Sequence, residues 1–270
     1  MKKIVSIQDI SCYGQCSLTV SLPILSALGI ETAILPSAIL STHTGGFQDF
    51  TCLDLTEEMP AIVSHWEKEH ITFDAIYTGY IGDARQFDTI RSTKKLLNKD
   101  GLLIVDPAMA DNGKLYAALT PDIVEGMRSI VREADVILPN LTEAAFLLEE
   151  PWKESYTKEE ITEILKKLSD MGPENVILTG VSYEEGKIGA VSFHKSTGQY
   201  IEYFTEKIDR NYHGTGDVFS SVAIAELLKG KETREVLESA CEFVVKCIKA
   251  TLPDDSHWYG VKFEDVLAAL

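Results

Sequence analysis

Val136-Ile137-Leu138-Pro139-Asn140-Leu141-Thr142-Glu143-Ala144 passes from an apolar run through Pro-Asn into a stretch with helical spacing. An apolar run with no polar alternation suits a strand buried on both faces. The unit recurs outward in both directions. Residues 2–7, 31–35, 74–77, 102–105 and 176–178 read as further strands, and 17–28, 57–68, 84–97, 142–149 and 158–169 as helices. Short buried strands alternating with helices indicate an α/β fold, a mostly parallel sheet with helices on both faces.

The period changes after residue 180. Residues 189–194 and 199–204 flank Lys195-Ser196-Thr197-Gly198, a hairpin signal that adds antiparallel strands at one edge. Helices near 215–228, 233–250 and 263–270 follow. No internal repeat, low-complexity tract or Pro/Gly/Ser linker interrupts the chain, so residues 1–270 read as one domain.

The 270 residues carry 25 Lys+Arg against 42 Asp+Glu, a net charge of −17. That excess excludes a general nucleic-acid binder and disfavours an anionic membrane surface. Phosphate chemistry stays open, because helix N-termini and metal ions hold phosphate without many basic side chains. No apolar run approaches the ~20 residues a bilayer needs. The start, Met1 to Asp9, is too short an apolar run for a signal peptide. Five cysteines in a long chain argue against a disulfide framework and for a reducing cytoplasm.

In such sheets ligands bind beyond the carboxyl ends of the strands. Those ends carry Gln8-Asp9, Thr78-Gly79-Tyr80, Asp106-Pro107, Pro139-Asn140 and Thr179-Gly180. The sharpest motif is His213-Gly214-Thr215-Gly216-Asp217-Val218-Phe219, two glycines opening a helix. Their amides and the helix dipole suit an anion. Asp217 then has two readings: a general base for an attacking hydroxyl, or an acid that merely favours the dipole. Phe219 stands where a dinucleotide fingerprint has its third glycine, and a hairpin precedes the motif. Gly180 and Gly186-Lys187 are too far apart for a Walker A loop, and Ile188 replaces Ser/Thr.

Taken together, these segments resemble the ribokinase-like superfamily, and within it the vitamin B6 (pyridoxal/pyridoxine/pyridoxamine) kinases. The resemblance rests on Ser6-Ile7-Gln8, Ser41-Thr42-His43-Thr44-Gly45, Thr78-Gly79-Tyr80, Val105-Asp106-Pro107 with Asp111, Pro139-Asn140-Leu141-Thr142-Glu143-Ala144 and the 214–217 motif. It implies a three-layer α/β/α sandwich and a homodimer. It implies ATP and a small heteroaromatic alcohol as substrates, Mg²⁺ as cofactor, and room for a monovalent cation. Asp217 resembles the catalytic base, and Gly214, Thr215 and Gly216 the anion hole. Asn140 and Glu143 resemble the element that organises Mg²⁺. Asp106 resembles a phosphate- and cation-side residue, and Asp111, Tyr116, Thr179 and Gly180 ATP-side positions. Tyr80, Thr44 and His43 resemble the ring pocket, with residues 36–50 as part of a cover. His43 equally suits a structural hydrogen bond in a loop.

The chain departs from that pattern at Asp9, where many pyridoxal kinases have Ser and hydroxymethylpyrimidine kinases of the superfamily often have Asp. Many of those pyrimidine kinases, however, carry Cys at the position of Asp217 and a glycine-rich first loop. The B6 reading therefore leads, with the pyrimidine kinase as alternative. A non-catalytic B6 carrier is opposed by Asp217 and Glu143. Cys12 and Cys16 lack the further ligands of a zinc site, and Cys241 and Cys247 read as core.

Overall fold

The computed structural model describes residues 1–270. In chain order the strands are β1 (Lys3–Ser11), β2 (Glu31–Leu40), β3 (Cys52–Asp54), β4 (Phe73–Thr78), β5 (Leu97–Val105), β6 (Ala110–Asp111), β7 (Lys114–Leu115), β8 (Val136–Ile137), β9 (Asn175–Val181), β10 (Lys187–His194) and β11 (Gln199–Glu206). The helices are α1 (Leu18–Ala27), α2 (Met59–Lys68), α3 (Gln86–Thr93), α4 (Pro121–Val131), α5 (Leu141–Leu148), α6 (Lys158–Asp170), α7 (Thr215–Leu228) and α8 (Thr233–Thr251).

Nine strands form one sheet in the order β11-β10-β9-β8-β5-β4-β1-β2-β3. The run from β9 to β2 is parallel throughout. Antiparallel strands close both edges: β10 and β11 at one, β3 at the other. The sequence reading had the first edge only. All three residues of β3 are exposed, so it leaves no apolar signal.

Alternation along the strands builds two cores. Val5, Ile76, Leu103, Val105, Ile137 and Val176 point into one, with α2 to α6 packed over them. Ile4, Tyr77, Ile104, Val136, Leu138 and Ile177 point into the other, under α1, α7 and α8. This is the expected three-layer α/β/α sandwich. Helix α7 is buried almost all round, which explains its lack of a polar face.

Two further elements differ from expectation. Residues 84–97 do not form one helix: α3 ends at Thr93, a 3₁₀ turn spans Lys94–Leu96, and Leu97 already pairs with Phe73. The ladder then shifts register before Ala75 meets Leu102, so the chain extends earlier than its apolar run begins. Helix α4 is an addition. Pro121 in its first turn and the buried Ile123, Met127 and Ile130 were its available signals.

Candidate active site

A cleft of about 610 Å³ opens at the carboxyl ends of the parallel strands, where open α/β sheets bind their ligands. Every residue given a catalytic, ring-side, nucleotide-side or metal role from the sequence lines it, from Asp9 on β1 to the 214–217 turn.

The floor is the N-terminus of α7. Gly214 caps that helix at φ 78°. A Cβ there would lie 2.0 Å from the Gln15 carbonyl oxygen, so both backbone shape and space require glycine. Asp217 follows in the first turn and reaches the cleft while protein atoms crowd its carboxyl. Its Oδ2 accepts the Ser17 N–H at 2.9 Å. Burial, with Asp106 and Asp9 adding repulsion against the Ser17 hydrogen bond, pushes its pKa up to about 7. A carboxylate tuned to neutrality suits a general base.

One turn along α7, the Ser220 hydroxyl donates to Asp106 Oδ2 at 2.6 Å. Asp106 directly follows β5, and burial pushes its pKa up to about 6. A single helix turn thus brings one carboxylate to the cleft and secures a second beside it.

Asn140 and Glu143 form a capping box at the start of α5. Asn140 Oδ1 accepts the Glu143 N–H at 2.9 Å, and Glu143 Oε2 accepts the Asn140 N–H at 2.8 Å. Glu143 Oε1 also accepts the Met109 N–H at 3.2 Å, and Asn140 Nδ2 donates to the Ala110 carbonyl at 2.9 Å. The box therefore clamps the strand that leaves Asp106 onto α5. Glu143 is buried, 3% exposed, where a first-turn acid is usually solvated. Burial, then the nearby Asp106 charge, raise its pKa.

No three His, Cys, Asp or Glu side chains converge into a closed metal cage. The donor chemistry still fits Mg²⁺. That ion prefers hard oxygen, keeps several waters, and takes one or two carboxylates plus phosphate oxygens. Two buried carboxylates that repel each other gain from a cation between or beside them.

Asp111, Tyr116, Thr179 and Gly180 lie on the α5 side. Asp111 opens the two-residue turn of the β6–β7 hairpin, where Asn112 and Gly113 take positive φ. The Asn-Gly turn signal and the ligand-side placement therefore coexist. Sequence reasoning missed an apolar part of the lining, Val244 and Ile248 of α8 with Ile188 of β10. Their i, i+4 spacing was the available signal.

The other half of the cleft holds Asp9, His43, Thr44 and Tyr80. The β1–β2 ladder shifts register around Asp9, a device that re-aims a side chain. Asp9 is buried, accepts from the Ser11 hydroxyl at 2.9 Å, and has its pKa raised by burial. Burial pushes the Tyr80 hydroxyl up to about 12, so it stays a protonated donor. His43 Nε2 donates to the Tyr259 carbonyl at 2.7 Å, and Nδ1 accepts the Gly45 N–H at 3.1 Å. Both ring nitrogens are engaged by backbone, which fixes the neutral tautomer and leaves only the ring for a ligand. Ser17 and Ser220 also line the cleft, though sequence reasoning assigned them no role, as does His213, which belongs to the 213–219 motif but was assigned none.

A glycine-capped helix end carrying a buried carboxylate, at the floor of a cleft beyond the strand ends, fits a small-molecule kinase of ribokinase-like fold. The pattern of the phosphomethylpyrimidine kinase family matches residues 22–260, and the chain belongs to that family. It is 32% identical over 188 residues to pyridoxine kinase of Bacillus subtilis (strain 168), covering 68% of this chain and 66% of that one. A protein of Bacteroides thetaiotaomicron VPI-5482 named as a phosphomethylpyrimidine kinase, solved in an orthorhombic form with pyridoxal, is 40% identical. The match covers 99% of this chain and 95% of that one at a TM-score of 0.95. Pyridoxal kinase from Lactobacillus plantarum is 29% identical, over 100% and 96% of the two chains, at a TM-score of 0.91.

Proposed function

We propose that the protein transfers the γ-phosphoryl group of ATP to the 5′-hydroxymethyl group of pyridoxal, pyridoxine or pyridoxamine. The observation that carries this reading is Asp217, poised near neutrality at the helix end between the two halves of the cleft. Asp217 takes the hydroxymethyl proton. The substrate oxygen bonds to the γ-phosphorus as the bond to the β–γ bridging oxygen breaks, and ADP leaves with those electrons. The amides of 214–216 stabilise the charge on the moving group. Mg²⁺, held by Asp106 and Glu143 largely through water, would neutralise the phosphates. Asp111, Tyr116, Asn140, Thr179 and Gly180 serve the nucleotide; Asp9, Thr44 and Tyr80 serve the ring.

The relative solved with pyridoxal and the Bacillus subtilis pyridoxine kinase support the ring assignment. Asp9 and the family's name favour a second reading, phosphorylation of a hydroxymethylpyrimidine or its phosphate. A coupled ADP-release assay on the three B6 alcohols and hydroxymethylpyrimidine decides between them. Preference for the pyrimidine sinks the B6 assignment, and no turnover with any substrate leaves a carrier.

We also propose that residues 1–270 act as one kinase unit within a cytoplasmic homodimer. Exposed Leu53 on the unpaired outer edge of β3 supports the dimer, and five free cysteines suit a reducing compartment. Sedimentation at micromolar concentration giving a monomer would remove the dimer.

A further inference from the structure

The segment 255–260 touches three rim segments at once without entering the cleft. Trp258 packs on Phe47 with ring centroids 4.6 Å apart, and a Cβ on Gly46 would lie 2.8 Å from the Trp258 ring. The Tyr259 carbonyl accepts from His43 Nε2 and from the Gln15 N–H, and its ring lies 4.9 Å from Tyr13. His257 Nε2 donates to Gln15 Oε1 at 3.0 Å. Arg210, on the segment leading to the 214–217 turn, donates to Asp255 at 2.9 Å.

The segment it grips has little internal support. Residues 41–50 form no helix or strand. Ser41 N–H donates to Thr51, His43 N–H to Tyr13, and Gly45 N–H to the His43 ring. Yet this segment brings His43, Thr44 and Gly45 to the cleft. Few internal hydrogen bonds mean low local stability, so its pose is set from outside.

We propose that residues 255–260 are a strap that holds the 41–50 cover over the ring half of the cleft, with Trp258 and His43 as positioning residues. Trp258 acts on the substrate through Phe47 and Gly46, and His43 through its bond to Tyr259. The strap sets affinity for the ring alcohol, not for the nucleotide and not the chemical step. The kinetic part of this inference rests on the proposed B6 kinase activity; the mechanical part does not.

The test compares Trp258→Ala and Trp258→Phe with the parent protein. Trp258 is 44% exposed, so its loss leaves the two cores intact. Amide exchange across residues 43–49 should quicken at least ~10-fold in Trp258→Ala, and KM for pyridoxal should rise ~10-fold, the worth of one aromatic contact and its burial. KM for ATP and kcat should stay within about twofold, and Trp258→Phe should restore both readings. Unchanged exchange in Trp258→Ala overturns the strap. So does a joint loss in kcat and both KM values that Phe does not rescue. If the parent protein phosphorylates no B6 alcohol, the functional reading fails, and exchange alone decides the strap.

Discussion

Ser17 donates its backbone N–H to Asp217 Oδ2 at 2.9 Å, and holds φ 55° and ψ −131° in doing so. A non-glycine residue in that region stores about 1–3 kcal/mol, and such strain gathers at working sites. The two residues are 200 positions apart, so the fold keeps the strain to hold one carboxylate.

Asp217→Asn keeps an acceptor for the Ser17 N–H and removes the base. Turnover should fall ~10²–10⁴-fold while ATP binding persists. Stability should move the other way. The folded protein raises the Asp217 pKa from 3.8 to about 7, so ionising it disfavours the fold. The penalty is absent below pH 4, grows as pH rises to 7, and is complete above, with a slope of up to ~1.4 kcal/mol per pH unit. Asn should therefore raise Tm at pH 8 and leave it unchanged at pH 4. Unaltered turnover would remove Asp217 as base.

Gly214→Ala tests the same bond from the opposite side. At φ 78°, with the Gln15 carbonyl 2.0 Å from the new Cβ, the backbone of 15–17 must retreat. Losing the Ser17 N–H removes the contact that lowers the Asp217 pKa. The acid limb of kcat/KM should move to higher pH, and kcat at pH 7 should fall at least ~10-fold. A profile that keeps its midpoint would detach the loop from the base.

Much of this site was legible because strand ends are short in sequence and crowded in space. Asp9, Tyr80, Asp106, Asn140 and Thr179 each follow an apolar run, and the parallel sheet brings them to one cleft. What stayed hidden depends on partners far along the chain. Glu143 looks like a solvated first-turn acid until Met109 and Asp106 close over it. Ser220 looks like one more small helix residue until Asp106 is placed against it. Trp258 and Tyr259 lie in an irregular segment with no period to read, and their meaning comes from contacts with Tyr13, His43 and Phe47.

Divalent metal should govern nucleotide affinity. The cleft is acidic at Asp106, Glu143 and Asp217, and of its two cationic side chains Lys207 and Arg210, the latter is already paired with Asp255. Calorimetry with ATP should show at least ~10-fold weaker binding in EDTA than in Mg²⁺. Glu143→Gln should narrow that ratio, because it removes one of the two carboxylates. Equal affinity with and without Mg²⁺ would contradict the assignment of Asp106 and Glu143.

Asp9 should decide which ring is accepted. Ionised, it accepts hydrogen bonds and donates none, whereas Ser does both. Burial disfavours its ionised form and raises its pKa, so the carboxylate gains from a ring that brings a donor or a positive charge. Asp9→Ser removes that partner and leaves the hydroxyl of Ser11 to find another acceptor. A hydrogen bond to a charged group is worth ~1.5–3 kcal/mol. Amino-bearing rings, pyridoxamine and hydroxymethylpyrimidine, should therefore lose ~10–100-fold in kcat/KM, while pyridoxal changes by a few-fold at most. The ratio of kcat/KM values in one competition assay reads this out, free of errors in enzyme concentration. Asp9 sits at a register shift in the β1–β2 ladder, so a general loss of folding would lower every substrate alike. An unaltered ratio means that Asp9 does not touch the ring.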